Sequence, residues 1–205
     1  METIIFPADN NNAVPRALEI LKRGGLVAFP TDTVYGVGAL AFNMAAVESI
    51  YAAKDRPVEK AIPILIGEPE DLGKVTTKVP TIAKKLAARF WPGPLTLIVP
   101  KHSDLPDVVS AGPTVGVRVP DHPVARALLT AAGPMAVTSA NISGQDSPTT
   151  AEGVNRQLNG RIPFILDGGE TPGGVPSTVV NCLGTEPIIL REGPVRMKDI
   201  QLVLA

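Results

Sequence analysis

The sequence predicts a single α/β domain over residues 1–205, built as a twisted sheet of mixed parallel and antiparallel strands with flanking helices. Three observations predict it. Short β-rich runs alternate with stretches of helical period along the whole chain. Glycine and proline, 19 and 21 residues, are scattered as punctuation and never pool into a linker. Hydrophobic residues make up 44% and charged residues only 19%, a balance that excludes disorder and calls for much buried sheet.

In chain order, strands are expected at residues 3–6, 26–29, 62–66, 95–99, 115–119, 135–139, 164–166, 178–181 and 188–190. The first helix follows the first strand, with Val14, Leu18 and Leu21 on one face and Gly24-Gly25 closing it. Further helices are expected at 44–54, 80–90, 123–131, 150–158 and 198–204. Pro57 is the expected stop of the second, and Asp121 the expected N-cap ahead of Pro123. Thr149 and Glu152 have capping-box spacing for the fifth. The last two strands lie only a few residues apart, which parallel neighbours cannot do, so some pairings are antiparallel.

Composition excludes several classes. One cysteine, Cys182, forbids an intramolecular disulfide and all but forbids a Cys-based zinc site; it is expected to be a small buried hydrophobe. The opening METIIFPADNNN has neither a basic n-region nor a long apolar h-region, and no apolar run reaches about 18 residues. A cytoplasmic protein with no membrane contact is expected. The net charge of −1 gives no global attraction to nucleic acid.

Some familiar motifs fail on inspection. Residues 36–41 match GxGxxA, but residues 30–33 separate them from the strand, and Asp55 follows a helix, not a second strand. Gly73-Lys74 lacks the spacing and the Ser/Thr of a P-loop. His102 and His122 stand near no serine or cysteine nucleophile pattern.

Five segments instead place polar residues where packing expects none. PTDTVYGVG, residues 30–38, puts Thr31 and Thr33 at a strand end, as a hydroxyl-rich turn or a ligand site. AAKDRP, residues 52–57, puts Lys54 and Arg56 at a helix end with Lys60 nearby. Cations there suit the helix dipole, or clamp a carboxylate or phosphate. In VGVRVP, residues 115–120, Arg118 interrupts an apolar strand and requires a buried ion pair or an anionic ligand. VTSANISG, residues 137–144, sets Thr138, Ser139 and Asn141 at a strand terminus. The fifth segment supplies Ser177 and, at the end of an apolar strand, Arg191. Cations and hydroxyls without a nucleophile or general base point to chemistry done by positioning and charge neutralisation on a multiply anionic ligand.

In this order PTDTVYGVG, the KxRP of residues 54–57, FWPGPLT (90–96), VRVP (117–120), TSAN (138–141), PST (176–178) and LREGP (190–194) resemble the YrdC/TsaC family of L-threonylcarbamoyladenylate synthases. The resemblance spans residues 26–194. It implies a YrdC-like fold around a concave, positive cleft, and synthesis of threonylcarbamoyl-AMP and pyrophosphate from L-threonine, bicarbonate and ATP with Mg2+. The product would feed a downstream threonylcarbamoyl-transferring complex that modifies tRNA beside the anticodon, with contact to tRNA or double-stranded RNA as a further expectation. Carried onto this chain, Lys54 and Arg56 would be catalytic. Thr31, Arg118 and Ser177 would hold threonine. Lys54, Lys60, Thr138, Ser139, Asn141, Ser147, Thr149 and Arg191 would meet the nucleotide. Ala61 departs from the proline of many relatives. Two alternatives share the fold: a non-catalytic RNA- or ribosome-binding module, and a carbamoyl-adenylating enzyme with another substrate.

Overall fold

The strands and helices of the computed structural model, which describes residues 2–205, follow the expected alternation. The strands are β1 (Ile4–Pro7), β2 (Val27–Phe29), β3 (Gly36–Leu40), β4 (Ile64–Leu65), β5 (Leu95–Pro100), β6 (Thr114–Arg118), β7 (Met135–Ser139), β8 (Phe164–Asp167), β9 (Thr178–Asn181) and β10 (Ile188–Arg191). The helices are α1 (Ala13–Lys22), α2 (Met44–Lys54), α3 (Thr81–Phe90), α4 (Pro123–Ala132), α5 (Ala151–Leu158) and α6 (Met197–Leu204). All ten strands join one sheet in the order β1-β8-β2-β3-β7-β4-β6-β5-β9-β10. It is mixed, as expected. For example, β8 runs parallel to β1 and β2, β4 parallel to β6, while β5 and β6 are antiparallel.

β3 was not expected, because two of its five residues are glycines. The structure shows why they are needed. A Cβ on Gly38 would lie 2.6 Å from the Ala136 carbonyl oxygen and 2.7 Å from Val137 Cγ2 on the neighbouring β7. Close strand approach thus removes the side chains from which a strand is read. The GxGxxA segment is this strand, not a phosphate loop.

Local ends differ from expectation in three places. α2 stops because Asp55 takes a left-handed conformation (φ 51), with Pro57 lying beyond the end already made. The N-cap of α4 is His122 rather than Asp121, with no side-chain cap, and the helix begins at Pro123, whose fixed φ suits the first position. Thr150, not Thr149, caps α5, its hydroxyl accepting from Gly153 N. In α1 the buried stripe is Ala13, Ala17 and Leu21, one step round from the face expected.

The sheet's two faces are covered unequally, and that asymmetry makes the site. Alternate residues on one face, among them Val37, Ile64, Leu97, Val117 and Val180, pack under α2, α3, α5 and α6. On the other face α1 and α4 lay Leu21, Leu128 and Leu129 over Phe29, Met135 and Phe164. This second core reaches only as far as Leu65 on β4. Beyond it, the same face of β6, β5 and β9 presents Gly116, Thr96, Ile98 and Val179 to a cleft.

Candidate functional site

The cleft has a volume of about 320 Å³ and lies across the uncovered half of the sheet. Its wall contains three arginines, Arg56, Arg118 and Arg191, and the hydroxyls of Thr31, Thr33, Thr96, Thr138, Ser139 and Ser177. Among the described residues no Asp, Glu, His, Cys or Lys side chain lines it.

Arg118 is 5% exposed at the end of β6 and is held on three sides. Its Nε donates to the Gly93 carbonyl (3.0 Å), Nη1 to Thr33 Oγ1 (3.1 Å) and Nη2 to Asp32 Oδ1 (2.5 Å). Burial draws its pKa down, and the adjacent Asp32 offsets part of that. Of the two outcomes expected for a buried arginine, the ion pair is present. A guanidinium carries five N–H groups, so two remain for the cleft. The proline-rich turn of residues 90–96 is what brings Gly93 into place: Gly93 N donates to Val119 O (2.8 Å) and Trp91 Nε1 to Leu95 O (2.7 Å).

Thr31 lines the cleft, but its hydroxyl donates to Val34 O (2.7 Å) within its own turn, and Thr33 is the one that meets Arg118. Opposite, Arg191 donates from Nε and Nη2 to the Ser177 carbonyl (3.0 and 2.7 Å) and from Nη2 to Ser177 Oγ (3.1 Å). Ser177 Oγ in turn stands 2.8 Å from Thr96 Oγ1, both side chains buried.

Arg56 is half-buried and holds the loop after α2: Nε donates to Lys60 O (3.2 Å) and Nη2 to Ala61 O (2.9 Å), leaving the outer N–H groups toward the cleft. Burial draws its pKa down. Lys54 turns inward. It is 1% exposed, is not in the cleft wall, and its ammonium donates to the carbonyls of Ser139 and Asn141. Burial, and then the neighbouring Arg56, push its pKa down to about 7. The ammonium thereby grips the turn after β7.

Asn141 belongs to that turn. Its Nδ2 donates to Ile142 O (2.8 Å) and Gln145 O (2.9 Å), and its Oδ1 accepts from Ser139 Oγ (2.5 Å). Lys60 is exposed and contributes its carbonyl to Arg56. Ser147 and Thr149 also lie off the wall; the Thr149 carbonyl accepts from Thr171 N (2.9 Å). The cleft thus unites Thr31, Arg56, Arg118, Thr138, Ser139, Ser177 and Arg191, and leaves Lys54, Lys60, Asn141, Ser147 and Thr149 outside it. Asp32, Gly93 and Thr96 were not singled out from sequence. Gly93 and Thr96 stood in the FWPGPLT segment without a role, whereas Asp32 had a chemical signal: the buried Arg118 required an anion, and residues 30–38 contain one acid.

Among the described residues, no three His, Cys, Asp or Glu side chains gather where they could hold a metal ion. No helix there is long and apolar enough to cross a membrane.

Comparisons with known proteins bear on the family and the fold. The Sua5/YciO/YrdC family profile, described as telomere recombination, matches residues 19–193. A threonylcarbamoyl-AMP synthase of Bacillus subtilis is 45% identical over 95% of this chain and 57% of its own length. A putative threonylcarbamoyl-AMP synthase of Mycobacterium tuberculosis is 40% identical over 97% of this chain and 92% of its own. The crystal structure of Pyrococcus abyssi Sua5 complexed with L-threonine superposes with a TM-score of 0.94 at 42% identity, covering 98% of this chain and 61% of that one. The chain spans little more than half the length of the Bacillus relative and of the Pyrococcus structure. With the profile matched over most of the chain and the fold shared, this protein belongs to the Sua5/YciO/YrdC family.

Proposed function

We propose that the chain is an L-threonylcarbamoyladenylate synthase, a nucleotidyltransferase that joins L-threonine, bicarbonate and ATP into threonylcarbamoyl-AMP and releases pyrophosphate. The observation that carries this reading is a cleft with three guanidinium groups and six serine and threonine side chains in its wall, and no Asp, Glu, His, Cys or Lys side chain among the described residues that line it. Such a wall suits a reaction whose nucleophile is made from the substrates. Bicarbonate loses hydroxide to give CO2, the amine of threonine adds to that CO2 and gives up a proton, and the proton and hydroxide leave as water, so that a carbamate is formed. A carbamate oxygen attacks the α-phosphorus of ATP in line, the bond to the bridging oxygen breaks, and pyrophosphate leaves with that electron pair. The protein positions the groups and neutralises charge.

In this reading Arg118 offers its two remaining N–H groups to the threonine carboxylate, beside Thr33 and Ser177. Arg56 faces the phosphates. Thr138, Ser139 and Arg191 line the nucleotide side. Lys54 and Asn141 act as positioning residues by fixing the 139–141 turn, and the Lys60 carbonyl orients Arg56. Mg2+ would arrive with the ATP, held by its phosphates, as no cluster of His, Cys, Asp or Glu is formed for it among the described residues. The setting is the cytoplasm, with a tRNA-modifying transferase consuming the product.

The test is pyrophosphate release by the purified protein with Mg2+-ATP, bicarbonate and single amino acids. Release that depends on both threonine and bicarbonate is expected; its absence sinks the proposal. Arg56→Ala should lower kcat by about 10²–10³-fold. Its midpoint of thermal unfolding should stay close to that of the wild type.

A further inference from the structure

Strand register places a hydroxyl beside Arg118 that the synthase reading does not use. Leu97 pairs with Val117 and Ile98 with Gly116 in the antiparallel β5–β6 ladder. Extending that register by one residue sets Thr96 directly opposite Arg118, on the same face, where opposed Cβ atoms stand about 4.5–5.5 Å apart. Both side chains are in the cleft wall, and Thr96 is only 3% exposed. Buried hydroxyls are held by defined partners, and here the partner is Ser177 Oγ at 2.8 Å.

The direction of donation at this pair is partly set by Arg191. Its Nη2 donates to Ser177 Oγ (3.1 Å) and a guanidinium cannot accept. Ser177 either passes its own proton to Thr96 or accepts a second from it. In the first case Thr96 presents a free O–H, in the second a free lone pair beside the Ser177 O–H. The pair can therefore donate to, or accept from, a ligand hydroxyl by rotating two O–H bonds. A ligand carboxylate or methyl cannot use both states, whereas an alcohol can.

The room for such a group comes from Gly116. A Cβ there would lie 3.1 Å from Thr96 Cγ2, 3.3 Å from Ile98 Cδ1 and 3.4 Å from Pro63 Cβ. Glycine in a strand interior weakens the strand, so its place in the cleft floor fits a side chain descending from above. An amino acid with its carboxylate on Arg118 has its β-carbon within reach of this floor and of the hydroxyl pair.

Resting on the proposed synthase activity, we infer that Thr96, paired with Ser177 across from Arg118 and above the Gly116 floor, is the specificity-determining residue that reads the side-chain hydroxyl of the amino-acid substrate. Thr96 makes the site select threonine over its isostere valine. A pocket built to pair a hydroxyl rejects the analogue lacking it far more strongly than an apolar pocket does, because its own polar groups are left unpaired.

The test measures kcat/KM for pyrophosphate release with L-threonine and with L-valine, at saturating bicarbonate and Mg2+-ATP. Wild type, Thr96→Val and Thr96→Ser are compared. The threonine-over-valine ratio should fall about 10²-fold in Thr96→Val, through loss of threonine activity and gain of valine activity. Thr96→Ser, which keeps the hydroxyl, should hold the ratio within about threefold of wild type. An unchanged ratio in Thr96→Val overturns the inference, as does an equal fall in Thr96→Ser. If Thr96→Val does not fold, Thr96→Ala carries the same comparison with the same outcomes. Failure of the wild type to release pyrophosphate with threonine is a separate result that removes the synthase reading itself.

Discussion

Asp32→Asn tests how far the cleft depends on one buried ion pair. The two side chains of that pair, Arg118 and Asp32, are 7% and 12% exposed. Asparagine keeps the shape and an oxygen acceptor for both Arg118 and the Asp121 N–H, so the substitution removes charge and little else. Two unit charges about 4 Å apart attract by about 4 kcal/mol at the effective dielectric suited to protein sites. Breaking a buried pair by removing one partner costs about 3–5 kcal/mol, because the other charge is stranded. The retained hydrogen bonds put Asp32→Asn at the lower end, about 3 kcal/mol. For a domain of this size that is a fall in Tm of about 6–12 °C. Urea unfolding and calorimetry measure it, with Glu19→Gln as control. Its pair with Arg23 is 77% and 61% exposed, and its loss should cost under about 1 kcal/mol. Arg118→Met in the Asp32→Asn background removes the stranded charge, so the double variant should be destabilised by less than the sum of the singles. A loss below about 1 kcal/mol for Asp32→Asn, or strict additivity in the cycle, refutes the reasoning.

Three further outcomes are expected. Lys54 releases its proton near pH 7 in the folded state and near its ordinary value of 10.5 when unfolded. Above pH 7 the unfolded chain therefore binds more protons, and stability should rise with pH by up to about 1.4 kcal/mol per unit. Urea unfolding of wild type and Lys54→Met at pH 7.0 and 8.0 (roughly one unit of the linkage slope) isolates that increment, and equal slopes refute it. Burial pushes the Cys182 thiol up to about 12, so a disulfide reagent at pH 8 should leave it unmodified in buffer and label it fully in urea; labelling of the folded protein within seconds would contradict the burial. Gly38→Ala forces a methyl to within 2.6 Å of the Ala136 carbonyl, so it should cost more than about 2 kcal/mol by thermal unfolding, against a gain if the strand could simply give way.

Local patterns made much of this fold legible. The second helix, residues 44–54, and the strands at 135–139 and 178–181 have the bounds read from the sequence, the helix because its apolar residues face one core and the strand 135–139 because its apolar run is buried on both faces. β3 was hidden because its glycines are chosen by Val137 on another strand, and glycine carries no strand signal. In the site, the need of Arg118 for an anion was readable from one strand, but its supplier stands 86 residues away in sequence. Lys54 was readable as a cation at a helix end. That its ammonium turns inward depends on the Ser139 and Asn141 carbonyls, which β7 delivers through tertiary packing alone. Thr96 stood at the end of the FWPGPLT segment, but nothing marked it as a site residue, since a threonine in a strand is ordinary until the register places it across from an arginine.

Each arginine in the cleft wall divides its donors between the protein and the open space. Arg118 gives one to the Gly93 carbonyl, Arg191 two to Ser177 O, and Arg56 one each to Lys60 O and Ala61 O. The planar fork allows this, because N–H groups bound to backbone on one edge leave the other edge fixed in direction. A lysine in the same place cannot hold that division: its ammonium is a point charge on a flexible stem, and turning it to a carbonyl turns it away from the cleft. Lys54 shows the consequence, its ammonium donating to the Ser139 and Asn141 carbonyls of the turn behind the wall. The uncovered half of the sheet therefore offers directed donors rather than loose positive charge. That directedness is what a site needs when its nucleophile is made from its substrates and the protein has only geometry and electrostatics to contribute.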